Sequence, residues 1–358
     1  MSTVSRRNVV LAGLAFSSAG QGTARAANRS RNDKPAITSE GTFPSLAGAT
    51  AWLNSAPLSR EALRGKTVLV NFWTYSCINW MRAHPYVRAW SRAYADKGLV
   101  TVGVHTPEFD FERNVKNVTR AAHANDIDYP IAVDNDRALW RAFANEYWPA
   151  LYVIDARGRI RHHRFGEGDY GVSEDAIRQS LTEAGAVGIG PDRVAVPTTP
   201  LELAADWDHL RTPETYLGYG RAERFASAAS VGRRQSRSYA IPETLERNEW
   251  GLAGLWTVGE QHISTDEPGG RIACRFQARD AHLVMGPMQP GTARRFRVLV
   301  DARSPGDDHG VDTDREGHGA VDEPRLYQLV RQHGAIGDRR VEIEFLDPGV
   351  DLYSFTFG

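Results

Sequence analysis

From Lys66 to about residue 181, short apolar runs alternate with longer amphipathic ones. Residues 67–72, 99–104 and 151–154 read as strands, with a further short strand at 131–133. Residues 80–95, 111–124 and 137–144 read as helices. Strands separated by helix-length stretches predict βαβ crossovers and a mainly parallel central sheet. The turn Asp155-Ala156-Arg157-Gly158, with a strand through Ile160, predicts an antiparallel hairpin at one side. Further on the period changes to two. Ile272, Cys274 and Phe276 alternate with polar neighbours, as do Phe296, Val298 and Val300, and Val341, Ile343 and Phe345. With turn clusters such as Glu267-Pro268-Gly269-Gly270 between them, these half-buried strands predict an antiparallel β-sandwich. The expected organisation is an α/β domain over residues 61–185, a Gly/Pro-rich linker over 186–205 and an all-β domain over 206–358, after a polar lead-in at 27–60.

The first 26 residues read as an address. Ser5-Arg6-Arg7-Asn8-Val9-Val10 precedes an apolar run over residues 9–19, and Ala24-Arg25-Ala26 supplies small residues before a cut at Ala27. The run is about half of the ~20 residues that a membrane-spanning helix needs. The paired arginines match a twin-arginine signal, and an ordinary secretory signal would lead to the same place, so the expected location is the periplasm or cell envelope. That compartment is oxidising. The formal charge, 43 Lys and Arg against 44 Asp and Glu, counts against a nucleic-acid partner. Two cysteines far apart, Cys77 and Cys274, exclude a Cys-based zinc ribbon or iron-sulfur cluster, and no cofactor is expected.

Asn71-Phe72-Trp73-Thr74-Tyr75-Ser76-Cys77-Ile78-Asn79-Trp80 carries the chemistry. A buried strand delivers the chain to a turn, and Cys77 falls where the next helix begins, facing unpaired N–H groups and the positive dipole end. That placement predicts a thiol pKa below the ordinary value and a sulfur ready for disulfide exchange. Pro85 is expected to kink this helix without ending it. Downstream, Tyr147-Trp148-Pro149-Ala150 sets a proline just before a strand. A cis bond there would lay the backbone against the sulfur and offer peptide groups to an incoming chain.

These residues together resemble the thioredoxin fold, and among its members the exported TlpA-like and ResA-like thiol-disulfide proteins. Further stretches resemble the soluble carboxy-terminal portion of DipZ-type cytochrome c biogenesis proteins: Gly103-Val104-His105-Thr106-Pro107-Glu108-Phe109, residues 161–170, Pro213-Glu214-Thr215-Tyr216-Leu217-Gly218-Tyr219 and the ending Phe355-Thr356-Phe357-Gly358. The resemblance implies a thioredoxin-like domain followed by a jelly roll similar to carbohydrate-binding modules. It also implies thiol- or disulfide-bearing exported partners or small thiols, a glycan at the β-sandwich, and a membrane electron-delivery protein as a separate partner. By the same resemblance Glu108 lies near the reactive sulfur and handles protons; a solvated loop carboxylate is the alternative. One departure stands out. Relatives carry Cys-x-x-Cys, whereas the second position here is Trp80, so Cys77 has no local resolving thiol. Trp80 would block the site, wall a ligand, or simply pack. Cys274 could resolve Cys77 only if the alpha carbons came within about 7 Å, and its alternation with Ile272 and Phe276 reads instead as an inert core cysteine.

Three other groups attract attention. His162 and His163, neighbours on a strand, point to opposite faces and make a poor metal pair. Residues 312–323, from Asp312 to Glu323, nearly match a calcium loop but depart at Glu316 and lack flanking helices, so an acidic loop between strands is expected. Trp207, Trp250 and Trp256 would either stack on sugar rings or fill the core. The expected function is thiol-disulfide exchange through Cys77, with Glu108 moving protons and Trp80, Trp148 and Pro149 meeting substrate. The competing expectations are a non-catalytic binding module on a degenerate redox fold, and peroxide reduction through a sulfenic acid.

Overall fold

The computed structural model describes residues 40–228 and 231–358. The export-like segment at 1–26 and the first part of the polar lead-in lie outside them.

The first sheet has seven strands: β1 (Gly41–Thr42), β2 (Ala51–Leu53), β3 (Thr67–Trp73), β4 (Leu99–His105), β5 (Ile131–Val133), β6 (Ala150–Ile154) and β7 (Arg159–Phe165). Their order is β1-β7-β6-β3-β4-β5-β2. Helices α1 (Ile78–Tyr94), α2 (Val115–Ala124), α3 (Ala138–Ala142) and α4 (Tyr170–Glu183) complete this half. Only β3, β4 and β5 run parallel to one another; β6 is antiparallel to both β3 and β7. The sheet is therefore mixed rather than mainly parallel. Apolar runs report where strands lie but not which way they run, and α3, five residues long, is the only helix between β5 and β6. The lead-in also contributes more than polar turns. It supplies both edge strands, β1 on β7 and β2 on β5, in runs of two and three residues, too short for a periodic signal.

Every residue of β3 is buried, as a strand covered on both faces must be. On one side of it Trp73, Trp80, Val87, Trp90 and Tyr94 form a core with Val118, Ile131 and Ile177. Pro85 sits inside α1, which continues through it. The segment after α4 lies along this core: Ala186, Ile189 and Val194 pack on it, and the Val194 N–H donates to Glu174 Oε1 at 2.8 Å.

The second half is all β. It comprises β8 (Thr215–Tyr216), β9 (Ser236–Tyr239), β10 (Trp250–Val258), β11 (Ile263–Thr265), β12 (Gly270–Gln277), β13 (Asp280–Pro287), β14 (Arg294–Val300), β15 (His318–Val321), β16 (Arg325–Arg331), β17 (Asp338–Phe345) and β18 (Val350–Phe357). Its eleven strands form one curled antiparallel sheet ordered β15-β14-β17-β12-β10-β11-β18-β13-β16, with β8 on β18 and β9 on β10. The period-two residues meet in rows: Ile272, Ile343 and Val298 in one, Cys274, Val341 and Val300 in the next. Strand β10 belongs to both faces of the sandwich. Residues 250–253 pair with β12, while 254–257 pair with β9. The change falls at Gly254, whose φ of 90° is one that a side chain would strain.

A smaller apolar cluster joins the two halves, with Ile78 and Phe109 on one side and Val284, Leu326 and Tyr353 on the other. The Tyr353 ring lies 5.0 Å from that of Phe109 and 4.6 Å from that of Phe111. Among the described residues no helix is long and apolar enough to cross a membrane.

Candidate active site

Cys77 is the N-cap of α1. Its N–H donates to Thr74 O at 3.3 Å and its carbonyl accepts from Met81 N at 3.0 Å, which fixes the turn between β3 and the helix. The sulfur lies 3.8 Å from the carbonyl oxygen of Trp148, and the Trp148–Pro149 bond is cis. The turn is tied down from behind by Glu112. This fully buried carboxylate accepts from Ser76 Oγ at 2.5 Å and from the N–H groups of Glu108 and Phe109 at 2.6 and 2.9 Å, and burial pushes its pKa up. One side chain thus holds both the residue before Cys77 and the loop that carries Glu108.

The β half closes over this arrangement. Glu108 Oε1 accepts from the Tyr216 hydroxyl at 2.7 Å and from an Arg221 N–H at 2.9 Å. The same hydroxyl lies 2.9 Å from Glu214 Oε2. A phenol has one proton to give, so the two carboxylates compete for it. The Arg221 guanidinium stacks over the Tyr216 ring at 3.6 Å, which supplies the cation that two neighbouring carboxylates need. Between the halves is a cleft of about 140 Å³, lined by Cys77, Asn79 and Arg82 on one side and by Trp207, Glu214 and Thr356 on the other.

The electrostatics correct one expectation. The thiol of Cys77 is pushed up, not down, chiefly by burial and then by the negative charges of Glu108 and Glu214. The N–H groups of Trp80 and Asn79 act the other way, as the helix-end argument requires, and are outweighed. Nothing in the sequence around Cys77 announced that a second domain would desolvate it.

Other expectations change as well. Trp80 does not wall a ligand: it is 0% exposed and stacks on Trp73 at 4.7 Å, inside the core. Trp148 is half-buried, with its indole N–H on Thr106 O at 3.0 Å and its ring 4.2 Å from Trp140. Pro149 is buried, and its carbonyl is already taken by the Gly166 N–H at 2.8 Å, so in this closed arrangement it offers little to an incoming backbone. Cys274 is fully buried in the β core, and both cysteines are free. Trp250 and Trp256 are core residues; Trp207, 60% exposed, stands at the rim of the cleft. His162 reaches Ser173 and His163 reaches Glu40. In the acidic loop Asp312 accepts from Gln328 N and Asp314 from His318 N, while Glu323 pairs with Arg120. Among the described residues no three His, Cys, Asp or Glu are grouped to hold a metal ion.

Residues 38–180 match the Redoxin family, and residues 212–358 match the family described as a thioredoxin-like C-terminal domain. The thiol-disulfide oxidoreductase YkuV of Bacillus subtilis is 36% identical over 141 residues, which are 39% of this chain and 95% of YkuV. The chain belongs to the thioredoxin-like redoxin family. Protein DipZ of Mycobacterium tuberculosis is 41% identical to this redoxin over 254 residues, 70% of the chain, and the chain spans 36% of the DipZ length. A thioredoxin-like protein solved in solution in its oxidised form is 38% identical, with a TM-score of 0.37, over 40% of the redoxin and 96% of that structure. This redoxin is accordingly a thioredoxin-like redox protein related to DipZ and to thiol-disulfide oxidoreductases.

Sequence reasoning missed Glu112, Tyr216, Arg221 and Arg82. A weak signal existed for Tyr216, Glu214 and Thr356, because the stretches 213–219 and 355–358 carried part of the family resemblance without an assigned role.

Proposed function

We propose that the protein is an exported thiol-disulfide redox protein acting through one sulfur, that of Cys77, on thiols or disulfides of other exported proteins or of small molecules. The observation that carries this reading is the position of Cys77 as the cap of α1, with its sulfur 3.8 Å from the Trp148 carbonyl oxygen and open to a cleft. In the exchange step the Cys77 proton passes to a neighbouring carboxylate and the sulfur attacks a disulfide. A bond forms between Cys77 and one substrate sulfur, the substrate S–S bond breaks, and the departing thiolate takes the proton. Transfer from the thiol to a carboxylate moves a charge without adding one, which suits a thiol that burial has pushed up, and Glu108 and Glu214 are the carboxylates whose charge bears on the sulfur. Tyr216 and Arg221 hold Glu108 in place for it. Because position 80 is a tryptophan, an outside thiol must release the Cys77 adduct. The export-like start and the DipZ relationship support a place in the cell envelope, in cytochrome c biogenesis or thiol homeostasis, with a membrane protein delivering electrons.

The burial that holds the thiol protonated favours a second reading, a non-catalytic module binding a protein or a glycan. Rates of insulin-disulfide and peroxide reduction, compared between the chain and Cys77→Ser, separate the two. Loss of disulfide reduction on substitution supports the proposal; loss of peroxide reduction alone moves the chemistry to a sulfenic acid; indifference in both leaves the binding module.

A further inference from the structure

Two carboxylates bear on the Cys77 sulfur, and they stand differently. Glu108, on the loop after β4, has a side chain only 7% exposed and accepts from Arg221 at 2.9 Å. Glu214, half-buried just before β8, shares the cleft wall with Cys77, and among the described residues it is the one carboxylate that lines that cleft. The other charge on the wall, Arg82, is paired with Glu167 at 3.2 Å. The cleft is small, about 140 Å³, which suits proton transfer from wall to wall directly or over one water. The Tyr216 hydroxyl joins the two carboxylates, 2.7 Å from Glu108 Oε1 and 2.9 Å from Glu214 Oε2. Burial and the two flanking negative charges raise this phenol well above its ordinary pKa, so it stays a donor. With one proton to give, it bonds whichever carboxylate is ionised, and it can accept from one that is protonated.

We propose that Glu214, supplied by the β half, takes the Cys77 proton and returns it to the departing thiolate, with Tyr216 as the positioning residue whose hydroxyl turns to Glu108 as the proton arrives. The Cys77 thiol gives its proton to Glu214, which then donates to the Tyr216 oxygen while the phenol donates to Glu108. The sulfur attacks, a bond forms between Cys77 and one substrate sulfur, and the substrate S–S bond breaks. The departing thiolate takes the proton from Glu214, and the Tyr216 hydroxyl is shared again. Protons and electrons balance within the exchange, and no further oxidant enters. The second domain is then part of the reacting centre. This role rests on Cys77 being reactive, as proposed above, and the test separates the two.

The reduced protein and its variants are exposed to two small uncharged reagents, and adducts on Cys77 are timed by intact mass and peptide mapping. Bis(2-hydroxyethyl) disulfide releases an alkyl thiolate that needs a proton; methyl methanethiosulfonate releases a sulfinate that does not. Glu214→Gln is expected to slow the disulfide at least about tenfold. The same variant should label with the methanethiosulfonate as fast as the parent or faster, because one negative charge no longer opposes ionisation of the thiol. Added acetate should restore part of the lost disulfide rate, which a damaged fold would not allow. Tyr216→Phe and Glu108→Gln should slow the disulfide less than Glu214→Gln does. If Glu214→Gln speeds both reagents alike, the carboxylate acts by charge alone and the proposal falls while Cys77 chemistry stands. Slowing of both reagents without a response to acetate marks a structural role and also overturns it, and a larger loss in Glu108→Gln moves the proton to Glu108. Failure of the parent Cys77 to label with either reagent overturns the reading of Cys77 itself.

Discussion

Restoring the missing thiol tests the site geometry most directly. Trp80→Cys deletes an indole that is fully buried and stacked on Trp73 at 4.7 Å. Truncating a buried tryptophan typically costs about 3–5 kcal/mol. Residues three apart on a helix bring their Cβ atoms within about 5–6 Å, so the new thiol would stand close to Cys77 at the start of α1. Closing a four-residue ring returns about 2 kcal/mol on the loop-entropy account. The oxidised variant should therefore lie about 1–3 kcal/mol below the parent in stability, and the reduced variant about 3–5 kcal/mol below it. Thermal melts with and without dithiothreitol read the difference directly: with both halves unfolding together, about 2 kcal/mol corresponds to a drop in Tm of about 3 °C on reduction. The parent chain, with both cysteines free, should show no such drop. Alkylation followed by mass measurement should find no free thiol at the site after mild oxidation, and insulin reduction should rise. A folded variant that keeps both thiols free under oxidant would refute the placement of position 80 behind the sulfur.

Two further outcomes follow from the buried polar groups. Tyr216→Phe keeps the ring under Arg221 but removes the hydroxyl that Glu108 and Glu214 share; a loss of about 1 kcal/mol in urea unfolding is expected, and an unchanged midpoint would mean that solvent already serves both carboxylates. His105 is fully buried between Trp73 and Tyr75, and burial pushes it down from an ordinary 6.5 to about 3. A depressed value means that its contribution to stability is whole above 6.5 and falls away as the pH drops towards 3, because the unfolded imidazole takes up a proton that the folded one refuses. His105→Phe should therefore gain on the parent by about 1.4 kcal/mol per pH unit over that interval, and parallel pH curves for the two chains would contradict the burial argument.

Much of the architecture was legible because it is written in short-range pattern. Period two laid out the β half, and the rows joining Ile272, Ile343 and Val298 are that pattern seen across strands. The hairpin at Gly158 was legible in its turn residues, and the register of β6 on β7 follows from it. Strand direction was not, since β6 looks alike read either way and the short α3 gave no warning of the reversal. At the site, position along the chain identified the sulfur and the helix that it caps, but the state of that sulfur depends on groups over a hundred residues away. Glu214 acts on it, and Tyr216 bonds Glu108, only after the two halves dock, and no local propensity encodes that contact. Trp80 misled for the opposite reason: a large aromatic beside a reactive residue suggests recognition, yet its neighbours Trp73 and His84 draw it inward.

The shared cluster of Ile78, Phe109, Val284, Leu326 and Tyr353 makes the β half a fixed roof rather than a tethered passenger. Core side chains that interdigitate across the junction couple the two sheets thermodynamically, so they should melt in one cooperative event, and a protease cut in the Gly/Pro stretch before residue 205 would leave the pieces clasped. Traffic to the sulfur then has two routes: slip beneath the eaves as a small guest, or lift the whole covering and break an apolar seam to do so.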